Sequence, residues 1–271
     1  MTIAAARSVE NTSEVKRDGL STFLVLDRSG SMSFKTDNVK SETDACVNFD
    51  DNNWKYQNKA APTTPCYYRK VEALQMAATA FLSQLKARNP DKSLIRTGAI
   101  AYSDELYPAQ NLGWGTDAVS AYVGSLPYKP MGGTDASQAM ATALSALKKG
   151  TSASPDTETR EHASKGNNTF KRQIVLMTDG EMTGHSAKWN KNLDQEVRKI
   201  CDQAKEDKDA NGDVIRIFAI AFMAPQEGQS LLKYCASSPA DYYEPENMAA
   251  LIKAFKDIGQ KAVAAASRLT R

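Results

Sequence analysis

The stretch STFLVLDRSGS, residues 21–31, decides the fold, because a short apolar run at 21–27 ends directly in a hydroxyl-rich loop. A nearly continuous apolar run of this length indicates a strand that is buried on both faces of a sheet. Strands of the same kind are predicted at 96–103 (RTGAIAYS), 173–179 (QIVLMTD) and 214–222 (VIRIFAIAF). Since such strands are typical of parallel sheets between layers of helices, the sequence predicts an α/β fold.

Segments with helical character separate these strands. The alternation predicts a mainly parallel sheet with crossover helices on both faces. Residues 104–130 carry no clear pattern, and 150–171 are expected to form a solvated loop. The predicted helices cover 66–88, the segment after Gly132-Gly133, 187–207, 228–236 and Met248 to Ala262, and a short strand is predicted at 241–244.

No internal repeat or linker divides the chain, so we predict one domain over residues 21–266. Residues 1–20 are expected to be an N-terminal extension or a flanking strand, and residues 267–271 a C-terminal tail. The polar stretch at about 34–65 is interpreted as an insertion within the domain, because it is rich in Asp, Asn and Pro.

The composition excludes several classes of protein. With 271 residues, 41% of them hydrophobic, the chain is long enough to bury one large core. A net charge of +2 does not point to a partner such as nucleic acid or an anionic membrane. No apolar stretch is long enough to span a membrane, and residues 1–20 lack the apolar core of a signal peptide. An exported form is therefore expected to need a leader or anchor outside this sequence.

The cysteines form no Cys-x-x-Cys pair, and with only two histidines in the chain a structural zinc site is not expected. Four cysteines allow three pairings. We favour Cys46–Cys66 and Cys201–Cys235, each of which closes a local loop and would add about 3 kcal/mol of stability. Four reduced, buried thiols are the alternative that the spacing leaves open.

The predicted fold brings together polar residues from three loops. Residues 27–31 (DRSGS) and 178–181 (TDGE) each follow a predicted strand, and 132–135 (GGTD) precede a helix. In sheets of this kind, ligands bind beyond the carboxyl ends of the strands. The loops offer carboxylate and hydroxyl oxygens, which suit Mg²⁺, Ca²⁺ or Mn²⁺. The sequence therefore predicts a divalent-cation site that leaves one position for an anionic oxygen of a partner.

Taken together, Asp-x-Ser-x-Ser, Gly-Gly-Thr before a helix and Thr-Asp-Gly after a strand resemble the metal-ion-dependent adhesion site (MIDAS) of von Willebrand factor A-type domains. The resemblance covers roughly residues 20–265. It implies a mostly parallel central sheet with one antiparallel edge strand, flanked by helices. The insertion departs from the family pattern by following the first metal loop directly, and we expect it to lie over the site. The implied metal ligands are Asp27, Ser29, Ser31, Thr134 and Asp179, the last often through water.

The C-terminal half has a closer resemblance, to TadG-type proteins of the bacterial tight-adherence (Flp) pilus system. It rests on Ile200-Cys201-Asp202, FAIAF at 218–222, the segment 231–251 and the terminal Ser-Arg-Leu-Thr-Arg. It implies a Cys201–Cys235 disulfide and an exported domain, periplasmic or at the cell surface, anchored to the inner membrane by an N-terminal segment. The implied partners are pilus or envelope proteins that offer a carboxylate to the metal. Candidate partner contacts are Arg28, Asp135, Glu181 and His185.

Two alternatives stay open. An intracellular adaptor of the same family, working with an AAA+ ATPase or a chelatase, would have free thiols. A metal-dependent hydrolase would use Ser29 or Ser31 as its nucleophile, but Asp27 stands where the Gly-x-Ser-x-Gly elbow needs glycine. His162 is expected in a polar loop and His185 at the surface, so no base is evident and we expect no enzymatic activity.

Overall fold

The structure, a computed structural model, describes residues 18–150, 156–167, 169–209 and 211–266, so most of the predicted N-terminal extension and the C-terminal tail lie outside the described residues. No helix in these ranges is long and apolar enough to cross a membrane. The strands are β1 (Asp18–Asp27), β2 (Lys35–Ser41), β3 (Cys66–Arg69), β4 (Ile95–Tyr102), β5 (Gln110–Trp114), β6 (Thr169–Thr178), β7 (Arg216–Ala221) and β8 (Tyr242–Tyr243). The helices are α1 (Lys70–Arg88), α2 (Asp117–Gly124), α3 (Ser137–Leu147), α4 (Thr157–Ser164), α5 (Lys191–Glu206), α6 (Gln226–Cys235) and α7 (Met248–Ala265).

The main sheet has six strands in the order β5-β4-β1-β6-β7-β8. All neighbouring pairs are parallel except β4 and β5, which are antiparallel. This confirms the predicted α/β fold with one antiparallel edge strand. β1 lies in the middle, where Asp27 pairs with Tyr102 of β4 and Leu26 with Met177 of β6. The loops that follow β1 and β6 therefore meet at one edge of the sheet.

Alternate side chains of β1 pack into two separate layers, because successive residues of a strand point to opposite faces. Leu24 belongs to a buried cluster with Phe81 of α1 and Phe255 of α7. Val25 belongs to a second buried cluster, which includes Met140 of α3. The nearly continuous apolar run thus reflects a strand that is covered by helices on both faces, as predicted.

The predicted insertion contains a strand that the sequence analysis did not identify. β2 pairs with β3 in an antiparallel ribbon, so residues 66–69, predicted as the start of a helix, are extended instead. α1 begins only at Lys70. Its first turn is capped by the Glu72 carboxylate, which accepts a hydrogen bond from the Arg69 N–H at 2.9 Å.

Two stretches for which the sequence predicted no helix or strand contain regular structure. β5 and α2 lie within 104–130, and α4 lies within the loop predicted at 150–171. α4 begins where the Asp156 carboxylate accepts a hydrogen bond from the Thr159 N–H at 2.6 Å. The prediction of a wholly solvated loop is therefore wrong for Thr157–Ser164, and also for residues 169–171, which begin β6.

His162, predicted in a polar loop, is fully buried on α4. Its ring stacks on Phe170 with the centroids 4.3 Å apart, and its Nε2 lies 2.9 Å from Ser21 Oγ. Burial, followed by the positive charge of Arg96, lowers the pKa of His162 to about 3. The ring is therefore neutral and structural, and it lies toward the opposite end of β1 from Asp27.

Both favoured disulfides are present in the structure. Cys46–Cys66 joins the start of β3 to the loop that precedes it, with a sequence separation of 20. Cys201–Cys235 joins α5 to α6, with a separation of 34, and both of its residues are fully buried. The second bond therefore stabilises the helical layer beside β7, whereas the first restrains the insertion.

Candidate metal site

The first loop leaves β1 with a buried carboxylate. Asp27 is fully buried, and its Oδ1 accepts a hydrogen bond from the Ser29 N–H at 2.7 Å. Its Oδ2 accepts a hydrogen bond from the hydroxyl of Thr178, the last residue of β6. These two bonds hold the carboxylate between the first and third loops.

Backbone hydrogen bonds hold the three loops against one another. The Gly30 N–H donates to the Gly132 carbonyl at 2.8 Å, which joins the first loop to the second. The Thr134 carbonyl accepts a hydrogen bond from the Gly184 N–H at 2.9 Å, which joins the second loop to the segment after the third. A Cβ on Gly133 would lie 1.9 Å from the Gly184 carbonyl oxygen, so this close contact requires glycine.

The side chains of the five predicted ligands lie together at the carboxyl edge of the sheet. Ser29 Oγ is 3.1 Å from Ser31 Oγ, which donates a hydrogen bond to Asp179 Oδ1 at 2.8 Å. A Cβ on Gly180 would lie 3.3 Å from Thr134 Oγ1 and 3.8 Å from Ser31 Oγ. The Asp27 carboxylate accepts a hydrogen bond from the backbone N–H of Ser29. The fold thus gathers two carboxylates and three hydroxyls from distant parts of the chain.

Four of the five predicted ligands, Ser29, Ser31, Thr134 and Asp179, line a cleft with a volume of about 890 Å³, whereas the fully buried Asp27 is not part of its lining. One wall comes from the insertion through Phe34 and Trp54, whose rings meet edge to face with centroids 5.5 Å apart. Glu181 and His185, which follow β6, also line the cleft. Trp54 packs on the first loop so closely that a Cβ on Gly30 would lie 2.8 Å from its ring. The insertion therefore lies against the site and narrows access to it.

Residues 68–257, more than half of the chain, match the family model of the von Willebrand factor type A domain. The chain belongs to this family. The matched range contains the second and third loops of the site, whereas the first loop of this von Willebrand factor A-type (vWA) domain precedes it. No curated protein matches the sequence.

Solved structures share the vWA fold of this chain at low sequence identity. The vWF domain of the type V pili tip protein Mfa5 from Porphyromonas gingivalis has 11% identity and a TM-score of 0.60, covering 94% of this chain and 98% of that one. The pilus adhesin SpaC from Lactobacillus rhamnosus GG has 13% identity and a TM-score of 0.56, covering 91% and 31%. Proximal thread matrix protein 1 from the mussel byssus, with a zinc-occupied MIDAS motif, has 15% identity and a TM-score of 0.52, covering 91% and 46%. This chain thus spans less than half of the last two proteins, and the likeness shows the fold alone.

The three loops of this vWA domain place two carboxylates, those of Asp27 and Asp179, close together in a buried site. Burial, followed by the neighbouring Asp179 carboxylate, raises the pKa of Asp27 to about 7. The described part of the chain contains no group of three or more His, Cys, Asp or Glu side chains that could hold a metal. Besides its two carboxylates, this site therefore offers hydroxyl groups as donors. Carboxylates and hydroxyls are the hard oxygen donors that Mg²⁺, Ca²⁺ and Mn²⁺ prefer. The donor set therefore fits a divalent cation, whose charge would offset that of the carboxylates.

The vWA site also contains a lysine that the sequence analysis missed. Lys70 Nζ lies 2.9 Å from Asp179 Oδ2, and both side chains are buried. The two residues are 109 positions apart, so their contact depends on the tertiary fold. One local signal was available: a lysine in the first turn of a helix, where the helix dipole disfavours positive charge.

The four predicted partner contacts of the vWA domain differ in position. Glu181 and His185 line the cleft, whereas Arg28 and Asp135 do not. The Arg28 guanidinium stacks on the Tyr107 ring at 3.6 Å from its centroid. The Asp135 carboxylate accepts a backbone hydrogen bond at the start of α3. Both of these side chains therefore have partners within the domain.

Proposed function

We propose that this vWA domain binds one divalent cation, Mg²⁺ or alternatively Ca²⁺ or Mn²⁺, at a MIDAS formed by the three loops. The supporting observation is the meeting of two buried carboxylates and three hydroxyls at the carboxyl edge of the sheet. The bound cation would supply an electrophilic position for a carboxylate oxygen of a partner protein. The proposed ligands are Asp27, Ser29, Ser31, Thr134 and Asp179.

The arrangement supports binding rather than hydrolysis. The Ser29 and Ser31 hydroxyls are hydrogen-bonded to each other, and Ser31 also to Asp179, instead of to a histidine. His162 is buried at the opposite end of β1, and His185 is exposed. A serine nucleophile needs a base within hydrogen-bond reach. We therefore propose a module that binds its partner without turnover.

The disulfides support an exported domain, because disulfides persist in oxidising compartments. An intracellular vWA adaptor would keep its four cysteines reduced, whereas all four are paired in this structure. The fold is also that of the pilus proteins SpaC and Mfa5. We therefore propose that the protein is an adhesion or pilus-assembly module of the TadG type, located in the periplasm or at the cell surface. It would be anchored to the inner membrane by a segment N-terminal to the domain.

Capture of a partner from the native cell envelope is expected to depend on the cation and on the partner's carboxylates. The immobilised protein should retain about tenfold more of a specific envelope protein in Mg²⁺ than in EDTA, because the partner oxygen would contact the cation. Coupling an amine to the carboxyl groups of the envelope fraction with carbodiimide should reduce the amount of retained protein by a similar factor. Quantitative mass spectrometry of the retained proteins measures both effects.

Two threonine variants provide the control for this capture experiment. Thr134→Ala removes a proposed ligand and should lose the partner, whereas Thr142→Ala removes a hydroxyl of α3 that donates only to the Gln138 carbonyl of the same helix turn, and it should retain the partner. Capture that is the same in EDTA, and the same for both variants, would contradict metal-dependent binding.

A further inference from the structure

The ammonium group of Lys70 is built into the vWA cleft. Lys70 is the first residue of α1, its side chain is 9% exposed, and its Nζ lies 2.9 Å from the Oδ2 of the fully buried Asp179 side chain. Its backbone N–H donates to the Phe34 carbonyl at 2.8 Å, which fixes the start of α1 beside the first loop. Both the backbone and the side chain therefore hold this lysine at the proposed metal site.

The position is unfavourable for a lysine in two respects. Lysine side chains are rarely buried, and the positive end of the helix dipole disfavours a cation in the first turn. The Asp179 carboxylate offsets both effects. Each of its oxygens already accepts one hydrogen bond, Oδ1 from Ser31 and Oδ2 from Lys70. A cation that enters the site must therefore share this carboxylate with the lysine.

Lys70 changes the charge of the proposed site. Asp27 and Asp179 supply two negative charges, which a divalent cation would neutralise alone. With the lysine included, the loaded site has a net charge of +1. One carboxylate from a ligand brings this total to zero. Lys70 also lines the cleft by which such a carboxylate would enter.

We propose that Lys70 weakens binding of the cation alone, so that the cation and an acidic ligand bind cooperatively. This inference rests on the proposed metal site. Lys70 forms an ion pair with Asp179 while the cation is absent, and its positive charge repels the incoming cation. A carboxylate of the ligand lowers this repulsion because its negative charge attracts both the lysine and the cation. The matching ligand is a protein segment that exposes an Asp or Glu side chain.

Calorimetric titrations with Mn²⁺, in the presence and absence of acetate as the carboxylate probe, test this coupling. Lys70→Met should bind Mn²⁺ alone about tenfold more tightly than the wild type, because one opposing charge is removed. Acetate should tighten Mn²⁺ binding by the wild type and tighten binding by Lys70→Met less. Lys70→Arg keeps the charge and should resemble the wild type. Lys35→Met, which removes an exposed lysine of β2, should do the same.

The possible outcomes separate this inference from the proposed site. Equal or weaker Mn²⁺ binding by Lys70→Met, or an equal effect of acetate on both proteins, would overturn the role of Lys70 and leave the metal site standing. Absence of Mn²⁺ binding in the wild type and all variants would overturn both. If Lys70→Met fails to fold by circular dichroism, Lys70→Gln gives the same comparison, because its amide keeps a donor for Asp179 without the charge.

Discussion

Asp27→Asn is expected to weaken Mn²⁺ binding by about 100-fold in a calorimetric titration. Asparagine has nearly the same shape as aspartate but removes one of the two negative charges that face the cation. The fold should tolerate the change, because the amide oxygen can still accept the Ser29 N–H. The Thr178 hydroxyl, which donates to the other oxygen of Asp27, can rotate and accept from the amide instead.

The same substitution separates metal binding from folding. Burial and the Asp179 carboxylate both raise the pKa of Asp27, which shows that the metal-free fold accommodates this charge at a cost. In EDTA, the asparagine variant should therefore unfold at a temperature no lower than that of the wild type. In Mn²⁺ at about 100 times the wild-type Kd, the wild type should gain about 2.7 kcal/mol of stability, whereas the variant, then at its own Kd, should gain only about 0.4 kcal/mol.

Asp51→Asn is the matched control for this prediction. Asp51 lines the same cleft from the insertion, but it is exposed and is not among the proposed ligands. Its asparagine variant should bind Mn²⁺ with wild-type affinity. If Asp27→Asn bound Mn²⁺ as tightly as this control, the buried carboxylate would not be a ligand and the proposed site would be wrong.

Removal of the Cys201–Cys235 disulfide by a double alanine variant is expected to lower the free energy of unfolding by about 4 kcal/mol. The bond closes a loop with a sequence separation of 34, so its loss increases the conformational freedom of the unfolded chain. Both cysteines are fully buried in the cluster that packs on one face of the sheet, so the substitutions also weaken core packing. Urea unfolding followed by circular dichroism measures the difference.

The corresponding double alanine variant at Cys46 and Cys66 provides the comparison. This bond lies in the insertion, outside both core clusters, so its loss should release the ribbon locally and cost less stability.

Wild-type protein from native cells should show no free thiol under denaturing conditions, whereas four free thiols would contradict export. Unchanged stability of the variant at Cys201 and Cys235 would contradict the structural role of that bond.

The buried strands and the loops of the site could be predicted because both are encoded locally. β1, β4, β6 and β7 each contain a short apolar run near their carboxyl-terminal ends, which is typical of strands covered on both faces. Parallel strands end at the same edge of a sheet, so the meeting of Asp27 and Asp179 followed from topology without knowledge of side-chain packing.

The exposed strand and the polar helix could not be predicted in this way. β2 reads KTDNVKS, which lacks alternation, and it is extended because it pairs with β3 beyond a long loop. α4 reads TETREHAS, a polar sequence that nevertheless buries Glu158. The Glu158 carboxylate accepts hydrogen bonds from Ser21 on β1 and Arg96 on β4, and these partners depend on the tertiary fold. The formation of these two elements therefore depends on tertiary contacts that no local sequence pattern reveals.

An anomalous difference map from crystals soaked in Mn²⁺ tests most directly whether the three loops surround one cation. We expect one dominant peak among the hydroxyls of Ser29, Ser31 and Thr134, and its loss in crystals of the Asp27→Asn variant under the same conditions. A map recorded at Mn²⁺ well above the Kd that shows no peak between the loops, or its dominant peak elsewhere, would contradict the proposed metal site.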